Sequence, residues 1–274
     1  MSNPGSITSS PTPGRVYITG AGPGDPELIT LKGIRVLREA DVIVYDRLAN
    51  PELLAHSRSD SEHIYVGKRP DKPSVSQAQI NSILISKAQA GRIVVRLKGG
   101  DPFIFGRGGE ECEALVAEGI PFEVIPGISS SMAAPAYAGI PLTHRNYGRS
   151  FAVVTGHTAD HQGHFENWEH LSHIDTLVVL MGLKHLPQIM QTLQKHGRSP
   201  DTPVTLIENA TLSRQRTCTA TLGTIAEKTV SFNSPATVVI GELAAMTSDL
   251  AWFQRLEVES SSATANARIQ KFAI

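Results

Sequence analysis

The chain is predicted to be an α/β protein of two α/β domains. A mostly parallel N-terminal sheet is followed by a strand-richer, mixed C-terminal sheet, and the active site is expected in the cleft between them. Three observations carry this expectation. Strand-like and helical patterns alternate along most of the 274 residues, as they do where crossover helices join parallel strands. The stretch 203–240 is instead dense in strand-like runs. Between these regions His144-Arg-Asn-Tyr-Gly-Arg-Ser150 interrupts the pattern as a linker would. The boundaries that follow are a tail at 1–14, a first domain at 15–146, a second at 150–256 and a polar tail at 257–274.

The first strand is expected at 15–19, where Val16-Tyr17-Ile18-Thr19 favours extended backbone. It empties into Gly20-Ala-Gly-Pro-Gly-Asp-Pro26, and a helical pattern follows over about 30–40. Val42-Ile-Val-Tyr-Asp46 forms the next strand, and His63-Ile-Tyr-Val66 a short one. The helix at 76–90 is the best specified. Ser76 and Gln79 make a capping box, Ile80, Ile83, Leu84, Lys87 and Ala88 keep helical spacing, and Gly91 stops it. Ile93-Val94-Val95 opens a buried strand over 93–97, and helical patterns at 108–118 and 129–138 flank a strand at 122–125. Strands at 151–155 and 176–181, a helix at 184–196, and strands at 203–207, 214–220 and 236–240 complete the reading.

Two loops stand out. Lys98-Gly-Gly-Asp-Pro-Phe-Ile-Phe-Gly-Arg-Gly-Gly-Glu-Glu111 and Gly20–Pro26 each follow a strand, and each contains Gly-Asp-Pro. Glycines let backbone approach a ligand closely. A loop built for phosphate would offer N–H groups or a lysine, not a carboxylate. A cationic centre with sugar hydroxyls suits such loops better, which points to S-adenosylmethionine. The first loop departs from the dinucleotide fingerprint G-x-G-x-x-G at Asp25, and no G-x-x-x-x-G-K-[ST] segment is present. Ligands of parallel sheets bind at the carboxyl ends of strands, where both loops fall.

Whole-chain properties narrow the classes. With 41% hydrophobic and 19% charged residues the chain is globular. A net charge of −1 gives no long-range attraction for nucleic acid or an anionic membrane. Cys112 and Cys218 have no partner at metal-binding spacing and make no disulfide framework, so a cytoplasmic location is expected. No apolar run reaches the roughly 20 residues that a bilayer span requires. The Ser/Thr/Pro/Gly-rich start lacks the apolar core of a secretory signal, and both ends are expected to be disordered.

These residues together resemble the tetrapyrrole methylase family, over roughly residues 15–245. The resemblance runs through Gly20–Pro26, Tyr45-Asp46-Arg47-Leu48, Gly67-Lys68, the 98–111 loop, Pro126-Gly-Ile-Ser-Ser130 and Pro141-Leu-Thr-His-Arg145. It continues through Thr155-Gly-His157, Met181-Gly182 and Ile207-Glu-Asn-Ala-Thr211, with Ala210 where the family often has glycine. It implies the tetrapyrrole methylase fold and the transfer of two methyl groups from S-adenosylmethionine to C2 and C7 of uroporphyrinogen III. Precorrin-2 would form by way of precorrin-1, on the route to sirohaem and cobalamin, with S-adenosylhomocysteine as co-product and no metal. A homodimer is implied as well. Too few residues precede the first strand for the fused dehydrogenase–chelatase module of some relatives, so methylation alone is expected. Competing readings are a sister methylase acting on a later precorrin, the diphthine-forming enzyme, and an S-adenosylmethionine-binding module without turnover.

By resemblance Asp46 is the proton acceptor and Lys68 the proton donor. From the residues alone, Asp46 reads also as a turn acid or a ribose ligand, and Lys68 as a surface lysine or a substrate-carboxylate partner. Cofactor contacts fall by resemblance on Pro23, Gly99, Gly100, Asp101, Ile104, Ser129, Ser130, Met181 and Ala210. Capping remains the other reading of Ser129 and Ser130, and core packing that of Met181. Arg107 and Arg145 are the expected grips for the acetate and propionate groups of the substrate, because a guanidinium fork meets carboxylate at two points. Glu110 opens a helix, where its charge suits the dipole, and by resemblance also faces the pyrrole nitrogens. His157, His161, His164, His170 and His173 are irregularly spaced, so no metal site is expected there.

Overall fold

The computed structural model describes residues 14–67, 75–156 and 168–253. The expected tails lie outside these residues. The chain divides into two compact units, Met1–Ser129 and Ser130–Ile274.

In the first unit the described strands are β1 (Arg15–Gly20), β2 (Val42–Tyr45), β3 (Glu62–Tyr65), β4 (Ile93–Lys98) and β5 (Phe122–Ile125). They form one parallel sheet in the order β3-β2-β4-β1-β5. Helices α1 (Leu31–Glu39), α2 (Gln77–Gln89) and α3 (Gly108–Ala117) link them. Alternation sorts each strand's side chains onto two faces. On one, Val16, Ile18, Val42, Val44 and Val94 pack against Ile80 and Leu84 of α2 and Leu115 of α3. On the other, Tyr17, Ile43, Val95 and Leu97 pack against Val36 and Leu37 of α1 and against Leu53. The capping box of α2 forms as read, with the Ser76 side chain accepting from Gln79 and the Gln79 side chain accepting from the Ser76 N–H. Gly91 follows at φ 78°, in the left-handed region that ends helices.

The second unit holds α4 (Ser130–Tyr137), β6 (Phe151–Thr155), α5 (Trp168–Leu171), β7 (Thr176–Leu180), α6 (Leu186–Lys195), β8 (Pro203–Glu208), β9 (Arg216–Thr221), α7 (Ile225–Lys228), β10 (Ala236–Ile240) and α8 (Thr247–Leu250). Its sheet runs β6-β7-β10-β8-β9, parallel between β6 and β7 and antiparallel elsewhere. This is the mixed sheet that the strand-dense 203–240 stretch predicts. Leu177, Val179, Val204, Leu206 and Val238 pack against Leu186, Ile189 and Leu193 of α6. On the other face Ala134 and Ala138 pack with Ile207, Val239 and Leu243. That packing ties α4 to the second unit, so the division falls ahead of α4 and not at the 144–150 segment. The strand expected to run to 181 stops at Leu180, because Met181 turns to φ 55°.

Candidate active site

Four loops of the first unit meet at the carboxyl edge of its parallel sheet. After β1, Gly22 exchanges backbone hydrogen bonds with Gly100 of the loop after β4, at 3.3 and 2.7 Å. After β5, Gly127 lies so close that a Cβ there would stand 2.3 Å from the Gly100 carbonyl oxygen. Gly99 presses on the loop after β2, where a Cβ would stand 2.4 Å from that of Leu48. Asn50 donates its amide to the Gly24 carbonyl at 2.8 Å and ties that same loop to the first. Crowding requires glycine at Gly99 and Gly127, and the left-handed backbone, φ 80° and 68°, favours it at Gly22 and Gly100.

The two Gly-Asp-Pro acids have backbone tasks. Asp101 accepts from the N–H of Phe103 at 2.8 Å and from that of Gly127 at 3.0 Å, while Asp25 accepts from Glu27 N–H at 2.9 Å. Each is a turn cap, and Asp101 also pins the loop after β5 to the loop after β4. Pro23 is half-buried in the first loop, and Ile104 is exposed between Phe103 and Phe105 in the loop after β4. Ser129 is buried at the end of its loop and Ser130 is the first residue of α4.

Asp46 follows β2 at this edge. Its Oδ1 accepts from the Leu48 N–H at 3.0 Å, and its Oδ2 accepts from Arg96 Nη2 at 3.1 Å. Arg96 and Lys98 lie on the same strand face as Val94, toward α3, and there both meet Glu111. Arg96 Nε donates to Glu111 Oε1 at 3.1 Å and Lys98 Nζ donates to the same oxygen at 3.0 Å. Lys98 also stands 3.0 Å from Oε2, although no N–H is aligned on that oxygen. Gln77 of α2 donates to Oε1 as well, at 3.2 Å. Glu111 is fully buried and both cations nearly so. Two positive and two negative groups thus form a neutral set, as buried charges must. Burial, aided by the like charge of Arg96, pushes the Lys98 ammonium below its ordinary value; Glu111 and Asp46 oppose the shift.

Arg107 caps the start of α3 in the left-handed conformation, at φ 59°, and its exposed guanidinium takes the Glu110 carboxylate in a two-point grip, Nε to Oε1 at 2.9 Å. The grip expected for a substrate carboxylate is therefore geometrically available and is filled by a neighbour on the same turn. Lys68 lies outside the described residues, as do His157, His161 and His164. Among the described residues His170 pairs with Glu169.

In the second unit Arg145 stands exposed in the tight turn that His144 and Gly148 close by reciprocal backbone hydrogen bonds of 2.8 and 3.1 Å. Met181 is half exposed just beyond β7. Ala210 lies just beyond β8, partly buried against Ile207 and Leu243. Its neighbours Asn209 and Thr211 are left-handed, at φ 48° and 69°, whereas Ala210 is not, so its methyl group brings no backbone strain. Strands β7 and β8 both run antiparallel to β10, which places the residues after them at one edge of this sheet.

The sequence profile of the tetrapyrrole (corrin/porphyrin) methylases matches residues 15–226. The chain belongs to this family. Among curated relatives, the uroporphyrinogen-III C-methyltransferase of Priestia megaterium is 52% identical over 233 residues, covering 84% of this chain and 98% of that protein. A siroheme synthase of Pseudomonas fluorescens (strain Pf0-1) is 49% identical over 247 residues, 89% of this chain and 53% of that one. This tetrapyrrole methylase therefore corresponds to about half of the longer enzyme. Among solved structures, the uroporphyrin-III C-methyl transferase of Thermus thermophilus complexed with S-adenyl homocysteine matches with a TM-score of 0.74 at 42% identity, covering 85% of this chain and 99% of that one.

Sequence reasoning named Asp46 but not what holds it. Arg96, Glu111 and Gln77 were passed over. The available signal was two basic residues, Arg96 and Lys98, two apart in a strand otherwise made of apolar residues. A strand buried on both faces accepts such residues only with buried partners.

Proposed function

We propose that this tetrapyrrole methylase uses S-adenosylmethionine to methylate uroporphyrinogen III at C2 and then C7, giving precorrin-2 by way of precorrin-1. The observation that carries the reading is the 52% identity to a uroporphyrinogen-III C-methyltransferase along 98% of that enzyme's length. The neighbouring structure complexed with S-adenyl homocysteine supports the cofactor. The four interlocked loops supply a rigid edge of backbone donors and acceptors on which a nucleoside can be oriented.

In each transfer the pyrrole carbon attacks the methyl carbon in line with the C–S bond. The bonding pair of C–S passes to sulfur, leaving neutral S-adenosylhomocysteine, and the positive charge moves to the ring system. A proton must then leave the ring. Asp46, a carboxylate already fixed at both oxygens yet a quarter exposed, is our choice of acceptor. Lys68 is our choice of donor where one is needed. Arg107 and Arg145 would hold substrate carboxylates, with Glu110 released from Arg107 as a substrate carboxylate takes its place. Pro23, Gly99, Gly100, Asp101, Ile104, Ser129, Ser130, Met181 and Ala210 are the proposed cofactor contacts. We further propose a cytoplasmic homodimer; among the described residues no helix is long and apolar enough to cross a membrane.

Incubation with S-adenosylmethionine and uroporphyrinogen III under reducing conditions is expected to yield a dimethylated product by mass spectrometry. Cofactor binding without methylation of that substrate would remove the assignment. Asp46→Asn should lower turnover by about 10²–10⁴-fold while S-adenosylhomocysteine affinity stays within twofold. Loss of that affinity instead would make Asp46 a ribose ligand. Sedimentation at micromolar concentration as a single chain would refute the dimer.

A further inference from the structure

The group that governs Asp46 is buried in the sheet behind it. Arg96 is 3% exposed, and each nitrogen of its guanidinium has a partner. Nε donates to Glu111 at 3.1 Å, Nη1 to the carbonyls of Leu97 at 3.0 Å and Val44 at 3.4 Å, and Nη2 to Asp46 Oδ2 at 3.1 Å. Three of these four acceptors, the two carbonyls and Glu111, are buried in the sheet and in α3, so the planar head has one orientation. Among the described residues its one contact with a group that reaches solvent is that to Asp46, whose side chain is 25% exposed.

We propose that Arg96 is a positioning residue for the methyl-transfer reaction, fixing the plane of the Asp46 carboxylate through Nη2, and that Glu111 fixes Arg96 in turn. The proposal rests on the reading of Asp46 as proton acceptor. The arrangement splits the work of the carboxylate. Oδ2 is committed to the guanidinium and Oδ1 to the Leu48 N–H, so the group cannot rotate, and one lone pair on each oxygen remains to receive a proton. An acceptor that must meet a proton at one ring carbon benefits from such fixation, because misplacement by about 1 Å can cost around 100-fold in rate. A guanidinium suits the post better than an ammonium, since only a planar fork can face Glu111 and Asp46 at once from one buried site. Lys98 completes the device. It neutralises Glu111 independently, so that carboxylate is not left unpaired when Arg96 is changed.

The test is a double-substitution cycle with Asp46→Asn, Arg96→Met and the pair combined, following single-turnover methylation and S-adenosylhomocysteine binding. Expected are a rate about 100-fold lower for Arg96→Met, cofactor affinity within twofold of the parent, and a double variant no slower than Asp46→Asn alone. If the two losses multiply, Arg96 acts elsewhere and the proposal fails. If Arg96→Met keeps the parent rate while Asp46→Asn does not, the proposal fails and the acceptor reading stands. If Asp46→Asn keeps the parent rate, the acceptor reading falls and takes this proposal with it. Should Arg96→Met not fold, Arg96→Lys enters the same cycle. Its charge stays in the sheet while the two-sided grip is lost, so a parent rate would again overturn the proposal.

Discussion

In the first unit Asp46 is held by a buried guanidinium, whereas in the second Met181 is held by its own backbone. The contrast extends to the surroundings of each. Strand β4 carries Arg96 and Lys98 into the sheet and needs Glu111 to balance them. Strands β7 and β10 contribute only apolar residues and threonines, and β8 ends in Glu208, whose one ionic partner among the described residues is the half-exposed Arg216. Two candidate residues of the second unit, Met181 and Ala210, instead sit at or beside left-handed positions, Met181, Asn209 and Thr211. The setting of Asp46 is therefore sensitive to changes of charge and that of Met181 to changes of backbone freedom.

The largest test of that contrast removes the buried acids. Glu111→Ala leaves Arg96 and Lys98 with Asp46 as their one remaining counter-charge among the described residues and should cost about 3–5 kcal/mol in urea unfolding. Glu208→Ala frees a guanidinium that already reaches solvent and orphans one Asn233 N–H, for about 1–3 kcal/mol. Equal losses would erase the distinction.

Backbone freedom comes next. At φ 55°, Met181→Val places a β-branched side chain in the left-handed region and should cost about 1–2 kcal/mol. Met181→Gly should stay within about 1 kcal/mol of the parent, because relief of strain offsets the added freedom of the unfolded chain. A Gly variant as unstable as the Val variant would show that the side chain, not the backbone, sets the position.

The smallest effects are in pH dependence. Lys98 titrates in the native chain below its ordinary 10.5, chiefly because of burial. Between the two values the unfolded chain binds more protons, so stability should rise with pH there, and Lys98→Met should remove that rise. Asp175 is held below its ordinary 3.8 by the Ser150 hydroxyl and the N–H groups of Arg149 and Ser150. Its contribution is present above 3.8 and is lost as pH falls through the lowered native value, so Asp175→Asn should flatten that limb. Urea midpoints across pH check both signs.

The fold was legible where pattern is local. Short β-branched runs, the Ser76–Gln79 capping box and glycines after strands mark elements that depend on residues a few positions apart, and each stands where read. Helices of four residues, α5, α7 and α8, are too short to display a 3.6-residue period and were not foreseen. The site was half legible. Asp46 and the Gly-Asp-Pro loops are visible as sequence, but the ion set behind Asp46 joins residues 46, 96, 98 and 111, which only the sheet order brings together. Asp101 shows the reverse case. Its carboxylate looked like a signal about ligand charge, and its hydrogen bonds are to backbone N–H groups that the sequence does not locate.

The strand order of the parallel sheet also bears on how the chain is made. Strands β1 and β2 emerge from the ribosome early, yet neither pairs with the other; β4 lies between them. Until residues 93–98 have been synthesised, both have an open edge where the central strand belongs. That central strand arrives carrying two cations; the Asp46 partner of Arg96 is already made, whereas Glu111, which Lys98 also needs, is translated later still. Full neutralisation of β4 therefore requires α3 in place. A chain that ends between them holds Lys98 without its Glu111 partner, and unpaired strand edges of that kind favour aggregation.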